Sequence, residues 1–191
     1  MATFTENLTD KHQTFIQKQH LFFVATAPAA EGRINLSPKG LDTFRILDDT
    51  TVAYLDLTGS GNETAAHLTA NGRVTLMFCA FDGAPLILRI YGTGRVIRPE
   101  DVDWSRRAGG FPTLPGARQI MEIKIDSVQT SCGYAVPEYT YVADRKALLN
   151  WAEKKGPEAL EAYRDSNNKM SIDGEPTGYK SITSVHRLEK E

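Results

Sequence analysis

Sulfur is scarce in this chain. Its 191 residues hold two cysteines, Cys79 and Cys132, without CxxC or Cys/His spacing. That excludes a disulfide-stapled scaffold and a zinc finger, and it suits a reducing cytoplasm. The four histidines, His12, His20, His67 and His186, are too scattered to argue a metal site, so none is expected. Long apolar runs are missing too. Residues 21–30 are apolar, but a membrane span needs about 18 in a row. The opening Met-Ala-Thr-Phe-Thr-Glu-Asn lacks the basic start of a secretory signal. Neither sign of charge is in surplus: Lys and Arg total 22 against 24 Asp and Glu, a net charge of −2. That leaves no basic footprint for nucleic acid or an anionic lipid surface. What is present is ordinary for a globular protein, with 41% hydrophobic and 24% charged residues. The length allows one domain, or one with an appendage, burying about 70% of its unfolded surface.

Residues 7–19 are expected to be helical, capped by Thr9 or Asp10. The pattern then switches. Residues 20–26 (HLFFVAT) are dense in aromatic and β-branched side chains and suit a buried strand. Residues 28–32 turn the chain, and 34–38 return as a hairpin partner. Residues 51–57 (TVAYLDL) form a third strand, Gly59 and Gly61 break it, and 63–71 form a short helix. Residues 74–81, 86–97 and 120–129 supply the remaining strands of a six-stranded set. Close strand spacing interrupted by one short helix predicts a mainly β barrel or sandwich rather than repeated βαβ units. From Cys132 onward the character changes, with an amphipathic helix at 145–155 and another at 157–164. The chain thus divides into a barrel, residues 1–130, and a helical extension, residues 131–191. About 60 residues bury little surface alone, so the extension is expected to pack on the barrel or on a partner subunit.

Three segments could carry chemistry. The first is Thr58-Gly59-Ser60-Gly61-Asn62-Glu63-Thr64, between a strand and a helix. Glycines permit close backbone approach, and a helix start offers free N–H groups and a positive dipole end to a phosphate or other anion. Ser60 and Glu63 also have capping-box spacing, so a plain capped helix is the alternative. The segment is neither a Walker A loop nor GxGxxG. The second is Arg33-Ile34-Asn35-Leu36-Ser37-Pro38-Lys39-Gly40. Strand alternation sends Asn35 and Ser37 to one face, as a site wall or a solvent-facing edge, with Arg33 and Lys39 flanking it. The third is Arg89, a charge inside an apolar strand that needs a partner, either an anionic ligand or a carboxylate such as Asp56. Cys79 reads as a core residue and His67 as a packing residue, and Cys132 has no histidine nearby in sequence to activate it.

The order HLFFVAT, RINLSPKG, AYLDLTGSGNETAAHL, GRVTLMFCAF and LRIYGTGRV resembles the pyridoxamine 5′-phosphate oxidase-like family of FMN-binding split barrels. The likeness covers approximately residues 10–130. In the extension, SCGYAVP, a Trp-Ala-x-Lys-Lys-Gly helix and SIDG resemble a subgroup of flavin-binding relatives outside the true pyridoxamine phosphate oxidases. The resemblance implies a six-stranded split barrel and a homodimer with FMN at the interface, each site drawing on both chains. It implies that Asn35, Leu36 and Ser37 line the flavin and that Leu55 and Asp56 lie beside its ring. It further implies that Gly61, Asn62 and Thr64 hold the phosphate. Where the oxidases carry Ser-Arg-Lys, this chain carries Asn62-Glu63-Thr64. Lys39, Arg33 or Arg89 is then the candidate source of the missing positive charge. The loop containing Cys132 and Tyr134 is expected to approach the site. The closing stretch, 181–188, does not match the oxidases' basic, Trp-containing strand for pyridoxamine phosphate.

The expected function is therefore that of an FMN-dependent oxidoreductase acting with a small-molecule electron donor or acceptor of unknown identity. No acid or base is named. Three alternatives stay open: an F420-dependent reductase, a flavin- or haem-binding module without turnover, and a dimeric interaction protein that has lost its cofactor.

Overall fold

The computed structural model describes residues 2–181, so His186 and nearly all of the closing stretch lie outside the described residues. The elements run β1 (Thr3–Thr5), α1 (Asp10–Gln17), β2 (Phe22–Thr26), β3 (Asn35–Lys39), β4 (Phe44–Ile46) and β5 (Thr51–Leu57). They continue with α2 (Glu63–Asn71), β6 (Arg73–Cys79), β7 (Ile87–Ile97), α3 (Trp104–Ala108), β8 (Ala117–Ser131) and α4 (Ala147–Asn167). The strands form one eight-stranded antiparallel sheet in the order β3-β2-β6-β7-β8-β5-β4, with β1 beside β8. All six expected strands are present. The additions, β1 and β4, have three residues each, too few for alternation to signal them.

The sheet curls into a half-barrel. Strands β2 and β5 lie far apart in the sheet order, yet Phe22 packs against Tyr54 at 5.6 Å between ring centroids. Phe44 and Phe78 complete this aromatic cluster. The main core, with Val24, Val52, Leu76, Leu88 and Met121, fills the concave side. A second cluster, Ala53, Leu55, Ile97 and Ile120, lies on the convex side under α3. At Gly92, where the β7–β8 register shifts, a Cβ would run into the Lys124 carbonyl, so the ladder closes there only around glycine.

Helix α1 starts at Thr9, whose hydroxyl accepts from the His12 N–H, while His12 Nδ1 accepts from the Thr9 N–H. Helix α4 is two helices joined at Gly156, where φ is 72°, as Gly156-Pro157 dictates. It docks through Arg164, which donates to Thr58 Oγ1 at 2.8 Å and to the Gly116 and Ala117 carbonyls. No helix among the described residues is long and apolar enough to cross a membrane.

Candidate functional site

A cleft of about 340 Å³ opens where the edge strand β3 curls round to the end of β5. Alternation along β3 turns Asn35, Ser37 and Lys39 into it and leaves Leu36 outside. Pro38 is tolerated because β3 is an edge. The floor is Asp56, on the same face of β5 as Tyr54. The far wall is the loop from Leu57 to Asn62 and the first turn of α2, with Glu63 and Thr64.

Asp56 is 2% exposed and surrounded by donors. Arg118 meets its Oδ2 through Nη2 at 2.6 Å and Nε at 3.0 Å. Gln119 Nε2 donates to the same oxygen at 2.9 Å, and Lys39 Nζ reaches Oδ1 at 2.9 Å. A β-bulge makes this possible. Asp56 pairs with Gln119 and Leu57 with Ala117, so Arg118 is the extra residue and both neighbours reach the same carboxylate. Burial alone would push the Asp56 carboxyl up. Arg118, Lys39 and the hydrogen bonds from Lys39 and Gln119 outweigh it and hold the group well below the usual carboxylate range. Burial, aided by the Asp56 charge, pushes the nearby Tyr54 phenol well above its ordinary value.

The start of α2 is uncapped by any side chain. Asn62, at the N-cap, is occupied elsewhere: its Oδ1 accepts from Gln119 at 2.6 Å, and its Nδ2 donates to the Asn168 carbonyl. The Ala65 and Ala66 N–H groups donate to the Asn62 carbonyl, so the N–H groups of Glu63 and Thr64 keep their donor capacity at the cleft wall. The expected Ser60–Glu63 capping box does not form. Glu63 instead accepts from the Ile172 N–H at 3.0 Å, which turns its charge to the extension.

Asn168 joins these parts. It is fully buried, its Oδ1 accepts from Arg118 Nη1 at 2.7 Å, and its Nδ2 donates to the Gly59 carbonyl at 3.1 Å. Thus the extension braces the loop and the cation of the cleft at once.

Of the residues singled out from sequence, Asn35, Ser37, Lys39, Asp56, Gly61, Asn62 and Thr64 line this one cleft. The others lie elsewhere. Arg33 is exposed and pairs with Asp173. Leu36 points outward, and Leu55 packs in the convex cluster. Arg89 bonds Ser131 Oγ at 3.3 Å, so the expected Arg89–Asp56 pair is replaced by Arg118 and Lys39. Cys132 and Tyr134 are exposed beyond the end of β8. Sequence reasoning missed Arg118, Gln119 and Asn168. The available signal was Arg118-Gln119 directly before an apolar alternating strand, opposite an aspartate in need of a cation.

The donor set fits a phosphate-bearing flavin. Lys39 has ammonium donors beyond the one given to Asp56, the α2 start is open, and a Cβ built at Gly59 would meet nothing within 4 Å. The backbone there can approach a ligand closely.

Comparison with known proteins identifies the family. The pyridoxamine 5′-phosphate oxidase family profile matches residues 8–132. Over 198 residues the chain is 46% identical to the pyridoxamine 5′-phosphate oxidase family protein ustO of Aspergillus flavus, covering 92% of this chain and 78% of that one. The crystal structure of HupZ from Group A Streptococcus superposes with a TM-score of 0.51 at 24% identity, covering 63% of this chain and 91% of HupZ. A Lactobacillus delbrueckii protein provisionally named a pyridoxamine 5′-phosphate oxidase gives 0.51 at 22% identity, covering 65% and 94%. These two structural likenesses show the fold. Together with the profile match and the 46% identity, they close the argument: the chain belongs to the pyridoxamine 5′-phosphate oxidase family.

Proposed function

We propose that the protein is an FMN-dependent oxidoreductase acting on a small molecule, with its cofactor in the β3–β5–α2 cleft of a homodimer. The observation that carries this reading is the uncapped α2 start beside a buried Arg118 and a partly free Lys39. In this assignment the backbone from Gly61 to Thr64 and Lys39 hold the phosphate. Asn35 and Ser37 donate to or accept from the ring edge. Lys39 and Arg118 balance the two lining carboxylates, Asp56 and Glu63, and Glu63 is turned to the Ile172 N–H, so the cleft is less negative than the Asn62-Glu63-Thr64 turn alone. When bound, FMN would supply the hydride or electron transfer, and the protein would hold the ring and exclude water. Arg118, Lys39 and Gln119 hold the Asp56 carboxyl well below the usual carboxylate range, so its role in this assignment is to position those donors. The barrel, residues 1–130, carries the cofactor, and the extension that begins at residue 131 braces it through Arg164 and Asn168. Two unbridged cysteines suit a cytoplasmic setting.

A binding module without turnover is the second reading, favoured by the same locked Asp56, which leaves that carboxylate unable to accept a proton near neutrality. Fold resemblance alone does not establish catalysis. The test is a fluorescence titration of FMN, paired with an absorption spectrum after desalting. Retained flavin bands in wild type, with affinity reduced at least tenfold in Lys39→Ala, support the site. No quenching in wild type overturns it. Steady NAD(P)H or F420H₂ oxidation with a small acceptor then separates enzyme from module.

A further inference from the structure

A second cavity lies on the convex side of β5, with a volume of about 570 Å³. That is the size range of small-molecule sites, roughly 300–1,000 Å³. Leu21, Leu41, Leu55, Leu57 and Leu148 give it apolar walls. It shares Pro38, Lys39, Leu57 and Gly59 with the polar cleft, so the two cavities are neighbours across one wall.

Its cover is not part of the sheet. After Gly133 the chain runs without helix or strand to α4 and is pinned twice. Tyr139 stacks on Phe81 at 5.6 Å, and its N–H donates to the Phe81 carbonyl at 2.7 Å. Tyr141 stacks on His20 at 3.6 Å with planes 9° apart. Tyr141, Ala143, Asp144 and Arg145 then line the cavity. At its rim Leu41 holds a φ of 62°, a left-handed conformation that a leucine resists and that persists only where its surroundings impose it. Two cations, Lys39 and Arg145, and one carboxylate, Asp144, line the cavity, and Arg145 forms no ion pair with any described residue.

We propose that this cavity binds the substrate, as a flat, largely apolar molecule carrying one carboxylate. Its apolar body fits among the leucines, and its charge is directed to Arg145. Calling the ligand a substrate rests on the FMN reading above; the cavity and its ligand chemistry do not.

The experiment measures binding of 1-naphthoate, and of neutral 1-naphthalenemethanol, to the purified full chain by calorimetry. It compares wild type with Arg145→Gln and Leu148→Asp. FMN titration and mass by light scattering are recorded on the same samples. Wild type is expected to bind 1-naphthoate with a Kd below about 1 mM and to prefer it to the alcohol. Arg145→Gln, at an exposed position, should weaken 1-naphthoate about tenfold and erase that preference. Leu148→Asp should lose both probes, and FMN affinity should stay the same in all three proteins. Absence of 1-naphthoate binding in wild type, or equal binding by Leu148→Asp, overturns the proposal. So does a shift from dimer to monomer in Leu148→Asp with probe binding intact, which would assign this face to a second copy of the chain. Probe binding as expected without FMN binding leaves the cavity standing and removes only the cofactor reading.

Discussion

Along β5, Val52 to Leu55 and their neighbour Asp56 are all buried, yet they are held by different forces. Val52 and Tyr54 enter the concave core, and Ala53 and Leu55 enter the convex cluster. Burial itself stabilises them, in proportion to apolar area and without regard to direction. One residue on, Asp56 is as dry, and burial alone would work against its charge. It is retained because four donor contacts from Arg118, Gln119 and Lys39 converge on its two oxygens. The apolar part should forgive a conservative change of shape. The polar part should not forgive the loss of one partner, because the partners left behind would be buried and unpaired.

The sharpest break of this comparison is Asp56→Asn. It leaves Arg118 buried without its counter-charge and should cost about 3–5 kcal/mol in urea unfolding. The same variant should gain more stability from added inorganic phosphate than wild type does, since an anion in the cleft then becomes the partner of Arg118. Equal phosphate effects in both proteins would show that the cleft does not present these cations to a ligand.

Asn168→Ala comes next. It removes an acceptor from a buried guanidinium and should cost roughly 1.5–3 kcal/mol. If Asn168 positions Arg118 and the Gly59 loop for a phosphate, FMN affinity should fall more than riboflavin affinity, because riboflavin lacks that group. A parallel fall in both would reduce Asn168 to a structural tie.

How much of this was legible follows from the range of each signal. Asn35, Ser37 and Lys39 stood out because alternation is local, and the glycine loop stood out because a strand-to-helix turn has its own chemistry. Asp56 was visible as a charge in an apolar strand, but it was matched with Arg89, another such charge. Its true partner, Arg118, is brought into reach by a bulge, and nothing in a one-dimensional alternation marks an extra residue. Asn168 lies beyond the residues that the family profile matches, and its contacts span from the Gly59 loop to β8. A single asparagine after a helix carries no pattern that could announce them. The strands were legible because each is written within five to fifteen residues; β1 and β4, at three, were not.

In the apolar region, Ile120→Val removes one methylene from the convex cluster and should cost about 0.5–1.5 kcal/mol. A loss as large as that of Asp56→Asn would mean that the two regions are not separable and that the convex cluster itself sets the bulge.

The smallest effect expected is from mild acid. An unfolded aspartate titrates near 3.9, and the folded Asp56 lies lower, so its stabilisation is complete above the unfolded value. It is lost only as pH falls below that value toward the folded one, and between pH 8 and about 5 it should stay constant. His12 supplies the contrast. Burial lowers its pKa from 6.5, so its neutral form is favoured in the folded chain. Its contribution is present above that value and fades as pH falls through the folded one. Protonation also removes the Nδ1 acceptor of the Thr9 N–H. Amide protection, taken relative to the intrinsic exchange rate at each pH, should therefore fall from pH 7.5 to 5 in the first turn of α1 and stay unchanged at Asp56, Arg118 and Gln119. Lower protection at those three over the same interval would mean that Asp56 gains a proton near neutrality, and the clamp drawn around it would be wrong.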